Sequence, residues 1–235
     1  QERAPAMALI GLVVRNPARA AATVAQGALE ALILAGASDA GNLDALTKEL
    51  GDVPWGRWPT ELTLETARDL RERGCDFLVL GPEKTQLEAL ENDEMAYFLT
   101  LPVDMEERLL RSVEELPVDG IYVDLTSLEQ PLTLQHLMAV GSLRAMFSKY
   151  FLAGVTASLS SQELKSLRDI GVDGIVVHLD GLSQGDLQAL RGRLASLPKR
   201  KPRTERPTAT VPLSPSSSGR RRHEEEEEEE EGEGI

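Results

Sequence analysis

One phrase recurs along this chain: an apolar strand, a polar helix, a Gly- or Pro-marked turn, then another apolar strand. It can be counted about eight times before residue 198, at a spacing of roughly twenty to thirty residues. Two of the repeats, Val118-Asp-Gly-Ile-Tyr-Val-Asp-Leu125 and Val172-Asp-Gly-Ile-Val-Val-His-Leu179, are nearly the same sequence. Strands alternating with helices in this way predict a parallel sheet. Eight such units predict a single closed (β/α)8 barrel.

The strands are expected at 7–14, 30–35, 53–58, 75–81, 95–101, 119–125, 150–156 and 173–179. They are continuous apolar runs, such as Phe77-Leu-Val-Leu80, which mark strands buried on both faces. Between them, apolar residues fall at helical spacing: Leu164, Leu167 and Ile170 form one stripe, and Leu109, Leu110, Val113 and Leu116 another. Ser160 and Glu163 have the spacing of a capping box, and Asn16-Pro17 reads as an N-cap before a first-turn proline. Gly74 and Gly171 read as left-handed C-caps. The weakest strand is the third, because Pro54 and Gly56 suit an interior strand poorly. The alternative architecture is an open doubly wound sheet; the regular period, and no glycine-rich phosphate loop after the first strand, favour the barrel.

The barrel is assigned to residues 1–198, and 199–235 read as a disordered charged tail. That tail runs from Lys199-Arg-Lys-Pro-Arg203 through Ser214-Pro-Ser-Ser-Ser218 to the acidic run Glu224 to Glu231. Blocks of like charge with few apolar residues do not offset the entropy cost of folding. Residues 1–198 hold 17 basic and 29 acidic side chains, a net charge of −12. So acidic a surface argues against nucleic acid, which needs a cationic groove, and against anionic membranes. No apolar run reaches the roughly 18 residues of a membrane span. The polar start Gln1-Glu-Arg-Ala-Pro does not read as a signal peptide. A first residue other than Met leaves room for an element upstream. The single cysteine, Cys75, excludes an internal disulfide and suits a cytoplasmic protein. No His lies near it in sequence, so it reads as a small buried residue rather than a nucleophile.

The stretch Gly171-Val-Asp-Gly-Ile-Val-Val177, leading into the last strand, resembles the last quarter of the phosphate-binding (β/α)8 enzymes. These are the tryptophan- and histidine-biosynthesis isomerases, the thiamine-phosphate synthase-like barrels and the FMN-linked barrels. Ala153-Gly-Val155 resembles the glycine turn after their seventh strand. The rest of the chain is similar in rhythm only, as in other bacterial barrel proteins. In those families the last strand runs into a Gly-Ser or Gly-Thr turn that holds phosphate. Here it runs into His178-Leu-Asp-Gly-Leu-Ser183, and Thr156-Ala-Ser158 stands where a second glycine is expected. No phosphate site is carried over.

Catalytic groups in such barrels sit at the C-terminal ends of strands, while residues at the N-terminal ends serve stability. Asp76, Asp119 and Asp173 each open a strand and are expected to bond amides at the bottom of the barrel. Aligning these three puts Gly81, Asp124 and His178 in one register, and Glu30, aligned with them, adds Ala35. Alternate strands feed one interior layer. The mouth layer is therefore expected to hold Ala35, Gly81, Asp124 and His178, with the last two in direct or water-bridged contact. His178 is the candidate general acid/base, since an imidazole's ordinary pKa near 6.5 suits proton transfer. Asp124 is its orienting partner.

Arg15 and Arg57, at the ends of the first and third strands, are candidate clamps for a small anionic metabolite. Thr156 and Asp180 are further candidate substrate-binding residues, and Glu83, Lys84, Asp104 and Ser158 also fall on mouth loops. His136 reads as a packing residue of the sixth helix. No lysine lies inside a strand, which disfavours a Schiff-base aldolase. Asp124, His178 and Asp180 have no metal-ligand spacing, and no cofactor is identified. Two functions remain open: a lyase or isomerase working at the mouth, or a non-catalytic binding or assembly barrel that takes a Leu, Val or Trp58 plug in its mouth. A homo-oligomer is open in either case.

Overall fold

The structure is a computed structural model that describes residues 7–15, 27–36, 40–90 and 94–198. Eight parallel strands close into a barrel in chain order. They are β1 (Ala8–Val13), β2 (Ala31–Ala35), β3 (Trp55–Trp58), β4 (Phe77–Leu80), β5 (Ala96–Leu101), β6 (Gly120–Asp124), β7 (Tyr150–Gly154) and β8 (Gly174–His178). The described helices are α1 (Ala40–Leu50), α2 (Leu64–Glu72), α3 (Glu107–Val113), α4 (Leu134–Ala145), α5 (Ser161–Ile170) and α6 (Gln184–Ala195). Between β4 and β5 the chain makes two short 3-10 turns, Pro82–Lys84 and Leu87–Leu90. The expected tail at 199–235 and the expected cap at Asn16-Pro17 lie outside the described residues. No described helix is long and apolar enough to cross a membrane.

The capping signals act where the sequence puts them. Ser160 accepts from the Glu163 amide while Glu163 reaches back to Ser160, and Gly171 ends α5 at φ 114°. Gly74 has φ 77°, a conformation that costs a residue with a Cβ and leaves glycine unstrained. His136 is a correction. It is the third residue of α4, and its Nδ1 accepts from the Thr133 amide in a second capping box, so it serves the helix end rather than the core.

Two cores run through the barrel. The outward faces of the strands pack on the helices, with Leu9, Leu78, Ile121, Phe151 and Ile175 in that layer. The inward faces make a separate cluster of Ile10, Leu12, Ile33, Phe77, Val79, Tyr122, Leu152 and Val176. Glycines make room inside it. A Cβ on Gly56 would stand 2.3 Å from the Phe77 ring, and one on Gly120 would stand 2.5 Å from Phe98. One on Gly174 would stand 2.8 Å from Leu152. Each bulky residue leans over a glycine on a neighbouring strand, so the barrel fills without a pore. This explains why β3 forms despite Gly56: a side chain there would displace Phe77. Pro54 lies just outside β3 and offers its carbonyl to Leu32.

At the bottom of the barrel the acids form a fourfold device. Asp76 accepts from the Trp55 amide at 2.8 Å, Asp119 from Tyr97 at 2.8 Å, and Asp173 from Phe151 at 2.9 Å. Glu30 does the same to Leu9 at 2.7 Å. In all four cases the acid's own amide donates to the carbonyl of that same residue. Each even strand is thus pinned to the odd strand before it by a two-point bracket. The device makes Glu30 equivalent to the three aspartates and fixes the register at the other end of the barrel. Cys75 is buried, donates to the Phe77 carbonyl, and has its thiol pushed up to about 12 by burial, which suits the packing role expected of it.

Candidate functional site

Carried round the closed sheet, the strand register sorts the inward residues into layers taken from alternate strands. Leu12, Trp58, Thr100 and Gly154 make one layer from the odd strands. Immediately above it, at the C-terminal mouth, Ala35, Gly81, Asp124 and His178 make the next from the even strands. Both Asp124 and His178 end their strands exposed, each two residues beyond a buried member of the interior cluster, Tyr122 and Val176. A Cβ on Gly81 would meet nothing within 4 Å, so the β4 side of the mouth is open.

The floor of this mouth is aromatic. The half-buried Trp58 ring meets Tyr122 edge to face, with centroids 5.0 Å apart and planes at 71°. Because β3 and β6 are three strands apart, this pair spans the barrel and closes its interior below the mouth layer. The Tyr122 hydroxyl rises over Gly154, where a Cβ would stand 2.3 Å from Oη and 3.1 Å from Asp124 Oδ1. Burial, and then the Asp124 charge, push the phenol above its ordinary range, so the hydroxyl keeps its proton and acts as a hydrogen-bonding group. Tyr122 escapes a search for polar residues at strand ends because it lies one layer deeper. The signal was present all the same, two residues before Asp124 on the same face.

Asp124 is held by its own turn. Its Oδ1 accepts from the Thr126 amide at 2.8 Å and from the Thr126 hydroxyl at 2.7 Å. Among the described residues no hydrogen bond or ion pair joins Asp124 to His178. The two share a layer without a direct hydrogen bond, and the Asp124 carboxylate is held through Oδ1 by Thr126.

The expected anion clamps are not assembled. Arg57 lies on the outward face of β3, between the inward-facing Gly56 and Trp58, and is 7% exposed. Its Nη2 donates to the Gly36 carbonyl just past β2, and its Nη1 is buried without a partner. Burial lowers its pKa. The guanidinium therefore lies behind the sheet, which corrects the expectation that it faces the mouth. Arg15 is exposed beyond β1, and its amide donates to Asp180 Oδ1 at 3.3 Å. Asp180 Oδ2 accepts from the Val14 amide at 2.7 Å. The Asp180 carboxylate thus stitches the loop after β8 to the end of β1. Thr156, just past β7, shares a hydrogen bond with Ser158 at 3.0 Å. Among the described residues no group of three or more His, Cys, Asp or Glu side chains is placed to hold a metal ion.

Neither a protein-family model nor a curated protein matches the chain. Solved structures do. A mutant tryptophan synthase alpha-subunit from Pyrococcus furiosus matches with a TM-score of 0.62 at 9% identity, over 82% of this chain and 98% of that one. Tryptophan synthase of Mycobacterium tuberculosis matches with a TM-score of 0.61 at 17% identity, over 80% and 91%. A designed cube-shaped protein cage matches with a TM-score of 0.57 at 15% identity, over 80% and 70%. The resemblance read from the last quarter of the sequence holds at the level of the fold, which these barrels share with the chain.

Proposed function

We propose that the chain is a small-molecule-binding barrel whose ligand enters the C-terminal mouth, with His178 and Asp124 as acid/base groups for a lyase or isomerase step. One observation carries this reading: Asp124 and His178 end alternate strands in one inward layer, beside Ala35 and Gly81, which leave space. The Thr126 bonds hold one carboxylate oxygen and leave Oδ2 for a ligand or a bridging water. The imidazole then takes or delivers the proton on the facing side of the same ligand. Likeness to tryptophan synthase alpha-subunits supports the choice of this end of the barrel and carries no substrate across.

The test is a thermal-shift screen of a metabolite panel against wild type, Asp124→Asn and His178→Gln. Compounds that raise the wild-type Tm are expected to lose their effect in both variants, while the unliganded melting points stay close together. Compounds that stabilise the variants as strongly as wild type sink the proposal.

A second reading has its own observation. Trp58 reaches across to Tyr122 and closes the barrel below the mouth layer. That favours a binding module without turnover. Ligands that bind the wild type and His178→Gln equally well, lose affinity on Trp58→Leu, and are recovered chemically unchanged support this reading over the first.

A further inference from the structure

We propose that the ligand class of this mouth is an organic ammonium, held by the Asp124 carboxylate against the Trp58 indole. The inference rests on the reading that the mouth is the ligand site, and it replaces the anionic metabolite suggested by the sequence.

Three observations converge on it. First, among the described residues several groups that would attract an anion are already engaged. The free amides at the end of β1, those of Val14 and Arg15, donate to Asp180. The Arg57 guanidinium is behind the sheet on the Gly36 carbonyl, and the Thr156 hydroxyl is paired with Ser158. Asp180 itself places a carboxylate at the β8–β1 corner of the rim, which repels a second anion there.

Second, the mouth layer offers a carboxylate. Asp124 is fixed by two bonds to Oδ1, so its second oxygen is presented without the entropy cost of ordering a long side chain. The adjacent Tyr122 hydroxyl, protonated and beside the same carboxylate over Gly154, supplies a polar contact without adding positive charge.

Third, an indole shares a neighbour with that carboxylate: Trp58 packs on the Tyr122 ring, and Asp124 Oδ1 and the Tyr122 hydroxyl both border Gly154. Trp58 is half-buried, packs by ring contact on Tyr122, and lies between the strands that carry Ala35 and Gly81 in the layer above. A carboxylate and an indole that share one tyrosine neighbour, with small residues in the layer that leave room for methyl groups, offer the chemistry that recognises alkylammonium ions. Among the described residues, the Val14 and Arg15 amides and the Arg57 guanidinium are not offered to a phosphate or carboxylate ligand at the mouth.

The experiment uses the full chain and follows the indole N–H signals of Trp55 and Trp58 by NMR, assigned with Trp58→Phe. Tetramethylammonium chloride is titrated against sodium chloride at matched ionic strength, with tert-butanol as the uncharged isostere and inorganic phosphate as the anion. The ammonium is expected to shift the Trp58 signal saturably and leave Trp55, which is buried under the helices, in place. The isostere, and the ammonium on Asp124→Asn, are each expected to bind about tenfold more weakly. Equal binding of tert-butanol, unchanged binding to Asp124→Asn, or no saturable shift with the ammonium would each overturn the inference. Phosphate shifting Trp58 in place of the ammonium overturns the ligand class and leaves the mouth site standing. Loss of the mouth site itself is read separately, from the metabolite screen.

Discussion

The side chain that Gly154 lacks is the space the Tyr122 hydroxyl occupies: a Cβ there would stand 2.3 Å from Oη and 3.0 Å from Cζ. Tyr122 cannot retreat, because its ring is braced by Trp58 on the other side. Gly154→Ala is therefore expected to cost about 1–3 kcal/mol by overpacking. Adding Tyr122→Phe removes the nearer clash and should recover part of that loss. Urea unfolding of the two single variants and the double variant checks it; additive losses would show that the two residues are uncoupled.

The four acid brackets at the bottom of the barrel should carry measurable stability. Asp173→Ala leaves the buried Phe151 amide without its side-chain acceptor, at an expected cost of about 1–3 kcal/mol. Asp76→Ala and Asp119→Ala should behave alike, while Asp124→Asn, at the exposed opposite end, should stay within about 0.5 kcal/mol of wild type. Amide exchange at Phe151, Trp55 and Tyr97 locates each loss. Faster exchange spread evenly over the barrel, with none concentrated at the bracketed strand, would count against the bracket.

Glu163 joins two loops. Its Oε2 accepts from the Ser160 amide and hydroxyl, and its Oε1 from the Leu132 amide ahead of α4. Desolvation raises its pKa, but the three hydrogen bonds outweigh it and hold the carboxyl below its ordinary value. A depressed folded pKa favours the folded state once the group is ionised. The contribution is complete above the unfolded carboxylate pKa of about 4.3 and fades as pH falls through the lower folded value. Glu163→Gln should cost about 1 kcal/mol at neutral pH and lose less than wild type on acidification. Parallel Tm-against-pH curves for the two proteins would contradict this.

Arg57 holds a buried Nη1 with no partner. A buried cation so poorly satisfied opposes folding, and an apolar side chain of similar length relieves the cost. Arg57→Met is expected to leave stability unchanged or raise it by about 1 kcal/mol. Chemical denaturation measures it; a large loss would mean that the guanidinium has a partner essential to the fold.

The sequence by itself determined the barrel, and the reason is local. Eight apolar runs with helical stripes and caps between them leave a parallel sheet as the way to bury both strand faces. It also determined the mouth layer on the even strands. Glu30, Asp76, Asp119 and Asp173 mark the start of each, and counting from a bonded marker fixes which residues face inward. Among the odd strands, β3 carries no such marker. A strand buried on both faces has no polar alternation to read, so nothing local says that Gly56 and Trp58 point in and Arg57 points out. That was decided by the close approach of Phe77 to Gly56 from the next strand. The aromatic floor, the seat of Tyr122 over Gly154 and the capture of the Val14 and Arg15 amides by Asp180 depend in the same way on distant partners. They join residues about 30 to 170 positions apart, and such contacts exist only once closure of the barrel has set the stagger of its strands.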